Sequence, residues 1–255
     1  MGIASADINR DGNLDLFITN FARESNTLYL SQPGGNYEDQ TQVAGLREPS
    51  FEPLGFGTQF LDADSDGRPE LIVMNGHIDE FLNEPYRMKA QIFRGREDRK
   101  FVEIAGTSAG EFWREPRLAR GLALLDWNRD GRTDFVATDL ESPVLLGTNK
   151  AENPHRSLRL KLVGTQCSRD AIGAKIRVTV SSGDERTVQL TAGDGYESCN
   201  ERFVEVGVGV SERVNKIEIL WPSGHSSVYT NVACGTDWLA VESSSILISI
   251  VNELQ

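Results

Sequence analysis

The sequence is short of the residues that carry most enzyme chemistry. Its 255 residues include only three cysteines, three histidines and three methionines. The cysteines, Cys167, Cys199 and Cys234, all fall in the last third. An odd number allows one disulfide with a thiol left over, or none, and spacing selects no pairing. The histidines, His77, His155 and His225, show no HxxxH-type spacing and give no local metal signature. A Ser nucleophile elbow, a Walker loop and a dinucleotide fingerprint are all missing. No run of about 18 apolar residues occurs, so no membrane span is expected. Basic residues are in deficit, with 26 Lys and Arg against 38 Asp and Glu and a net charge of −12. That balance argues against nucleic acid or an anionic membrane as a primary partner.

What the chain has instead is acid placed at fixed intervals. The runs DINRDGNLD (Asp7 to Asp15), DADSDGRPE (Asp62 to Glu70) and DWNRDGRTD (Asp126 to Asp134) all fit D-x-[DN]-x-D-G-x-x-[DE]. Side-chain oxygens fall at positions 1, 3, 5 and 9, and glycine at position 6 takes the sharp turn. Position 7, occupied by Asn13, Arg68 or Arg132, offers its backbone carbonyl, so its side chain is free to vary. Oxygen-only donors suit a hard cation, and calcium tolerates the irregular shell of a short loop. The expected ligands are Asp7, Asn9, Asp11, Asn13 and Asp15 in loop 1, and Asp62, Asp64, Asp66, Arg68 and Glu70 in loop 2. In loop 3 they are Asp126, Asn128, Asp130, Arg132 and Asp134. Up to three calcium ions follow, and three dications would bring the formal charge from −12 to −6. A plain polar turn needs one or two such residues, not alternating carboxylates that repel one another without a cation.

An EF-hand shares the first half of this pattern but needs a bidentate Glu at position 12 and flanking helices. Position 12 here is Ile18, Val73 or Ala137. The flanking runs are short and rich in β-branched and aromatic residues, which read as strands. First ligands are spaced by 55 and then 64 residues, and a hairpin follows each loop. Four antiparallel strands repeated at that interval indicate propeller blades. About three are visible, while closed propellers have typically 4–8 blades. The expectation is therefore the C-terminal part of a longer, N-terminally truncated propeller, or copies that self-associate through open propeller faces.

From about Asn153 the pattern changes. RSLRLKLVG, AKIRVTV, RTVQLTA, RFVEVGV, NKIEILW, SSVYTNV and WLAVES alternate apolar with polar residues between Gly- and Ser-rich turns. Seven such strands predict a small antiparallel β-sandwich. The fold class expected is thus all-β. Residues 1–152 form a partial propeller of about three calcium-loop blades, residues 153–243 the sandwich, and residues 244–255 a tail that reads as either an edge strand or a short helix.

The blade sequences, DxDxDGxxDL followed by LFxN and a Gly/aromatic hairpin, resemble the FG-GAP/VCBS repeats of integrin-α-like propellers. RDAIGA, AGDGYES and WPSG resemble the ASPIC/UnbV domain, in the order found in the cartilage acidic protein family and its bacterial relatives. The resemblance spans roughly Met1 to Glu242. Where that family commonly has His before its Gly-rich turn, this chain has Glu205.

Outside the loops, His77 reads as a packed structural residue, and His155 and His225 as turn residues. Asp194 and Glu197 flank Tyr196 in AGDGYES and read as a tight turn sooner than as an acid/base pair. Trp113 and Trp127 read as packing between blades sooner than as a sugar platform. The expected function is a calcium-stabilised, non-catalytic binding or adhesion module, extracellular or periplasmic, engaging a protein or carbohydrate ligand. The alternative is a hydrolase or lyase, or an accessory domain of one, using the propeller face or the interdomain cleft around Asn149 to Arg156.

Overall fold

The short apolar runs beside each acidic loop form strands that pair across it. The computed structural model describes residues 1–80 and 85–250, and the chain is all-β, 44% strand and 3% helical. The first sheet is the meander β1 (Ile3–Ala6), β2 (Asp15–Ile18), β3 (Thr27–Gln32) and β4 (Asn36–Asp39). The second repeats it with β5 (Gly55–Leu61), β6 (Glu70–Asn75), β7 (Gln91–Gly95) and β8 (Phe101–Glu103). A short helix, α1 (Gly106–Ala109), and a 3-10 turn at Glu111–Arg114 lead to the third sheet. That sheet has three strands, β9 (Ala119–Leu125), β10 (Asp134–Asp139) and β11 (Leu145–Gly147). In each sheet the acidic loop joins the first two strands, and those first strands lie side by side, β1 against β5 and β5 against β9.

The cores explain why β6 does not alternate. All six of its residues are buried. Leu71 and Val73 pack with Phe17, Leu28 and Phe93 between the first two sheets. Ile72 and Met74 pack with Trp113, Leu122 and Phe135 between the second and third. A strand with a core on each face reads as a continuous apolar run. Each large side chain so buried contributes roughly 1.5–3 kcal/mol.

The remaining strands form two further four-stranded sheets. One has the order β15-β12-β18-β19 and the other β14-β13-β16-β17. Their ranges are β12 (Arg156–Val163), β13 (Lys175–Thr179), β14 (Glu185–Gln189) and β15 (Val204–Gly209), then β16 (Arg213–Leu220), β17 (Ser226–Ala233), β18 (Asp237–Val241) and β19 (Leu247–Ile250). One apolar cluster serves both sheets, with Leu158, Leu160, Ile176, Val178, Ile217, Ile219 and Trp221 fully buried or nearly so. Glu242 closes one end. Its carboxylate accepts from the backbone N–H groups of Thr165, Gln166 and Cys167 and from the Ser223 hydroxyl. Burial pushes that carboxyl up, but the four donors outweigh it and hold it at about 2.

Two expectations need correction, and one open alternative is decided. Among the described residues the sheets number five, in a five-bladed arrangement, where about three blades were expected. The acidic loops mark only the first three sheets, so counting loops undercounts sheets. The second group is not wholly antiparallel: β12 and β18 run parallel, with Arg159 opposite Asp237 and Leu160 opposite Trp238. Alternation fixes which face a residue takes but says nothing of strand direction. Of the tail, residues 247–250 form the edge strand β19 on β18, and residues 251–255 lie outside the described part.

Candidate metal loops and the interface built around them

The three loops share one backbone conformation. Position 4 is left-handed in each, at Arg10 (φ 61°), Ser65 (φ 56°) and Arg129 (φ 58°). Position 6 is left-handed as well, at Gly12 (φ 84°), Gly67 (φ 85°) and Gly131 (φ 84°), where a Cβ would be strained. The turn brings the N–H of position 6 onto the carboxylate of position 1: Gly12 to Asp7 (2.9 Å), Gly67 to Asp62 (2.8 Å) and Gly131 to Asp126 (3.0 Å). Position 5 accepts from position 7, with Asn13 to Asp11 at 2.8 Å, Arg68 to Asp66 at 2.7 Å and Arg132 to Asp130 at 3.0 Å. Position 9 accepts from position 2 at Asp15, Glu70 and Asp134. Asn9 and Asn128 turn their side-chain oxygens back onto the N–H groups of Asp11 and Asp130.

Loop 2 differs from its neighbours in where the position 1 carboxylate is satisfied. In loops 1 and 3 the second oxygen of Asp7 or Asp126 accepts the N–H of position 5. In loop 2, Asp62 Oδ1 is buried without a hydrogen-bond partner. Ligand oxygens of Asp62, Asp64 and Glu70 lie within 4.8 Å of one another. Burial, then repulsion from Asp66, Glu70 and Asp64, pushes Asp62 up to about 8 despite the Gly67 N–H. Glu70 is pushed up to about 7, chiefly by burial. Asp15 in loop 1 rises to about 6 for the same first reason. An orphaned buried oxygen facing two more carboxylates is the donor set that a hard dication would satisfy. Loop 2 therefore fits a calcium ion best of the three.

The same loop sits at the junction with the C-terminal sheets. Its carbonyls are taken in succession by donors from elsewhere. Asn149 Nδ2 donates to Ala63 (2.8 Å), the His155 ring meets the Asp64 oxygen (2.9 Å), Gly209 N–H donates to Ser65 (2.9 Å) and Arg186 donates to Asp66 (3.3 Å). Packing is close enough to require glycine: a Cβ at Gly207 would fall 1.9 Å from Asp62 Oδ2. Loop 3 is approached too. Arg159 on β12 donates to Asp126 at 2.5 Å and to Asp237 at 3.3 Å, and stacks on Phe203 with 4.8 Å to the ring centroid. In register, Arg159 stands between Glu205 on β15 and Asp237 on β18. Burial raises Glu205 to about 7 against the bond from Thr133 and the charge of Arg159.

The turn of AGDGYES supplies a third contact. Gly195 exchanges backbone hydrogen bonds with Ile3 (2.8 and 3.0 Å), Ser198 Oγ donates to Leu122 (2.8 Å) and Glu201 N–H donates to Leu124 (2.8 Å). Asp194 and Glu197 belong to this turn, which with the residues just after it contacts β1 and β9. No local sequence signal announces these contacts beyond the glycines of the turn.

Other singled-out residues are placed as follows. His77 is buried, stands edge-on to Phe21 with centroids 5.6 Å apart, and its ring nitrogen meets Asp79. His225 lies in the turn closed by its carbonyl and the Trp221 N–H. Trp113 is buried against Phe112 and Phe135, whereas Trp127 is half exposed and donates to Thr148. Arg68 and Arg132 turn back to pair with Asp66 and Asp130 of their own loops. Cys167, Cys199 and Cys234 are all free thiols, and among the described residues no helix is long and apolar enough to cross a membrane.

Comparison with known proteins matches two segments of the chain. Residues 7–73 match the FG-GAP-like repeat family and residues 164–246 the ASPIC and UnbV family. Cartilage acidic protein 1 of Homo sapiens is 25% identical over 236 residues, 92% of this chain and 34% of that protein. The Mus musculus protein of the same name is 24% identical over 225 residues, and that of Xenopus tropicalis 25% over 229. The chain spans about a third of the length of these relatives. It joins an FG-GAP-like repeat segment to an ASPIC and UnbV segment and is similar over most of its length to cartilage acidic protein 1.

Proposed function

We propose that the chain is a calcium-stabilised module of an extracellular or periplasmic protein that engages a protein or glycan, with calcium acting structurally. The observation that carries this reading is loop 2, where the buried, unpartnered Asp62 Oδ1 faces Asp64 and Glu70. Three carboxylates so placed repel one another and gain most from a shared dication. Loops 1 and 3 repeat the same turn and would hold the second and third ions through Asp7, Asn9, Asp11, Asn13 and Asp15, and through Asp126, Asn128, Asp130, Arg132 and Asp134. The extracellular assignment rests on the similarity to cartilage acidic protein 1 and on loops of this kind being saturated at the ~10⁻⁴–10⁻³ M calcium of extracellular modules. Within the five-sheet arrangement, the last two sheets share one core and pack face to face in the manner of a β-sandwich.

Thermal melts in calcium and in chelator test the reading. One site at tenfold saturation adds about 1.4 kcal/mol, and three about 4 kcal/mol. For a chain of this size that raises Tm by roughly 3–5 °C for one ion and about 10 °C for three. Asp62→Asn is expected to remove the largest single share. A melt indifferent to calcium, with no heat of binding by calorimetry, would refute the assignment.

A further inference from the structure

A cleft of about 490 Å³ separates loop 3 from β12, in the region of Asn149 to Arg156. Four arginines line it, Arg129, Arg132, Arg156 and Arg159, against two carboxylates, Asp130 and Asp237. The chain as a whole carries −12, so this convergence of cations runs against the background. Their donors are only partly committed. Arg156 has one carboxylate nearby, Glu212, at 3.9 Å, beyond hydrogen-bond length, and that partner is 84% exposed. Arg129 gives one nitrogen to Glu201. Arg132 gives Nε to the Asn149 carbonyl and one terminal nitrogen to Asp130. Arg159 is 3% exposed, and its buried Nε has no hydrogen-bond partner. Each guanidinium carries five N–H donors in a planar fork that matches the oxygens of a sulfate, phosphate or carboxylate.

We propose that this cleft binds a small ligand bearing such an oxyanion through Arg129, Arg132 and Arg156, with Arg159 fixing the rear wall. The volume falls within the range of small-ligand sites, ~300–1,000 Å³, and the chain's net charge of −12 disfavours an anionic polymer. The ligand class rests on the binding-module reading and deepens it; because Arg129 and Arg132 belong to loop 3, titration both in calcium and in chelator separates this site from the calcium assignment.

Calorimetric titration with three probes tests the proposal: inorganic sulfate, a sulfated disaccharide, and the same disaccharide desulfated, each in calcium and in chelator. Binding of the sulfated sugar with loss on desulfation is the expected result. Sulfate binding alone as well shows that the oxyanion suffices, and its failure to bind shows that the sugar contributes; both support the site. The paired change Arg129→Ala and Arg156→Ala alters half-exposed side chains and is expected to weaken binding by about tenfold or more, the scale of losing charge-assisted hydrogen bonds. Arg156→Lys, which keeps charge and loses the fork, is expected to fall between. Equal binding of sulfated and desulfated sugar, no binding of either, or indifference to the paired change in a protein with a normal melt would overturn the proposal. The calcium reading stands or falls separately, on the melts.

Discussion

Arg159→Met is the substitution that most directly tests how the C-terminal sheets are joined to the acidic loops. The Arg159 side chain is 4% exposed, Asp126 1% and Asp237 7%. One guanidinium therefore serves two buried carboxylates, and Glu201 stands 3.7 Å from its other terminal nitrogen. Methionine keeps much of the apolar stem beside Phe203, so the change removes charge more than packing. Removing one partner of a buried pair costs about 3–5 kcal/mol, because the remaining charge is left uncompensated. A loss of that size corresponds to roughly 10 °C in Tm for a chain of this length. Adding Asp237→Asn removes one of the stranded charges and is expected to recover about 1–2 kcal/mol, within the range of coupling between contacting residues. Calcium in loop 3 would offset Asp126, so the loss is expected to be larger in chelator than in calcium. Urea denaturation of the four proteins of the cycle, in both conditions, gives the numbers. A single-variant loss under about 1 kcal/mol, or no recovery in the double variant, would refute the view of Arg159 as the buried link.

Two further outcomes follow from the titrating groups. In chelator, Asp62 (about 8) and Glu70 (about 7) bind protons in the folded state that the unfolded chain has already released. Stability is therefore expected to fall as pH rises from about 4 to 8, and saturating calcium should flatten or reverse that slope. Glu242 works in the opposite sense: held at about 2, it adds stability above its unfolded value that is lost as pH falls towards 2. A metal-free melt that rises steadily from pH 5 to 8 would count against the raised carboxylates. Thiol labelling checks the packing of the C-terminal sheets. Cys199 is exposed and is expected to react first with a maleimide, whereas Cys234 is buried with its thiol pushed up to about 11 and should react only on unfolding. Mass spectrometry after brief labelling distinguishes them, and early modification of Cys234 would contradict the packing around it.

The loops and their strands were legible because the signal is local. Oxygen donors at alternate positions, a glycine at the turn and β-branched runs on each side all lie within about a dozen residues. The C-terminal strands were legible for a similar reason: β16 buries Ile217 and Ile219 and leaves Lys216, Glu218 and Leu220 less covered, the period of a half-covered sheet. What could not be read is how the two parts meet. Arg159 lies in RSLRLKLV on the face opposite Leu158, Leu160 and Leu162, where a polar residue is the ordinary choice for solvent. Only the assembled fold shows that this face looks onto loop 3 and is buried there. Glu205 and Asp237 flank it on neighbouring strands, and pairing across β15, β12 and β18 is decided by strand order that alternation does not encode.

The same blindness to partners changes the standing of the three acidic loops. As sequences they are equivalent, and loop 2 stands out only by one extra acid. In the fold they are not. Loop 3 has its first carboxylate engaged by Arg159, whose positive charge does part of the work of a metal ion. Loop 2 has four of its backbone carbonyls in the junction drawn outward to Asn149, His155, Gly209 and Arg186, while Asp62 Oδ1 stays unpartnered. Drawing the carbonyls outward fixes the loop from outside and leaves the carboxylates converging inside, so little ordering remains to be done when an ion arrives. Preorganisation and uncompensated charge both favour loop 2, and compensation by arginine disfavours loop 3. On the proposed calcium reading, loop 2 is therefore expected to bind an ion more tightly than loop 3, an order set by contacts at the junction with the C-terminal part.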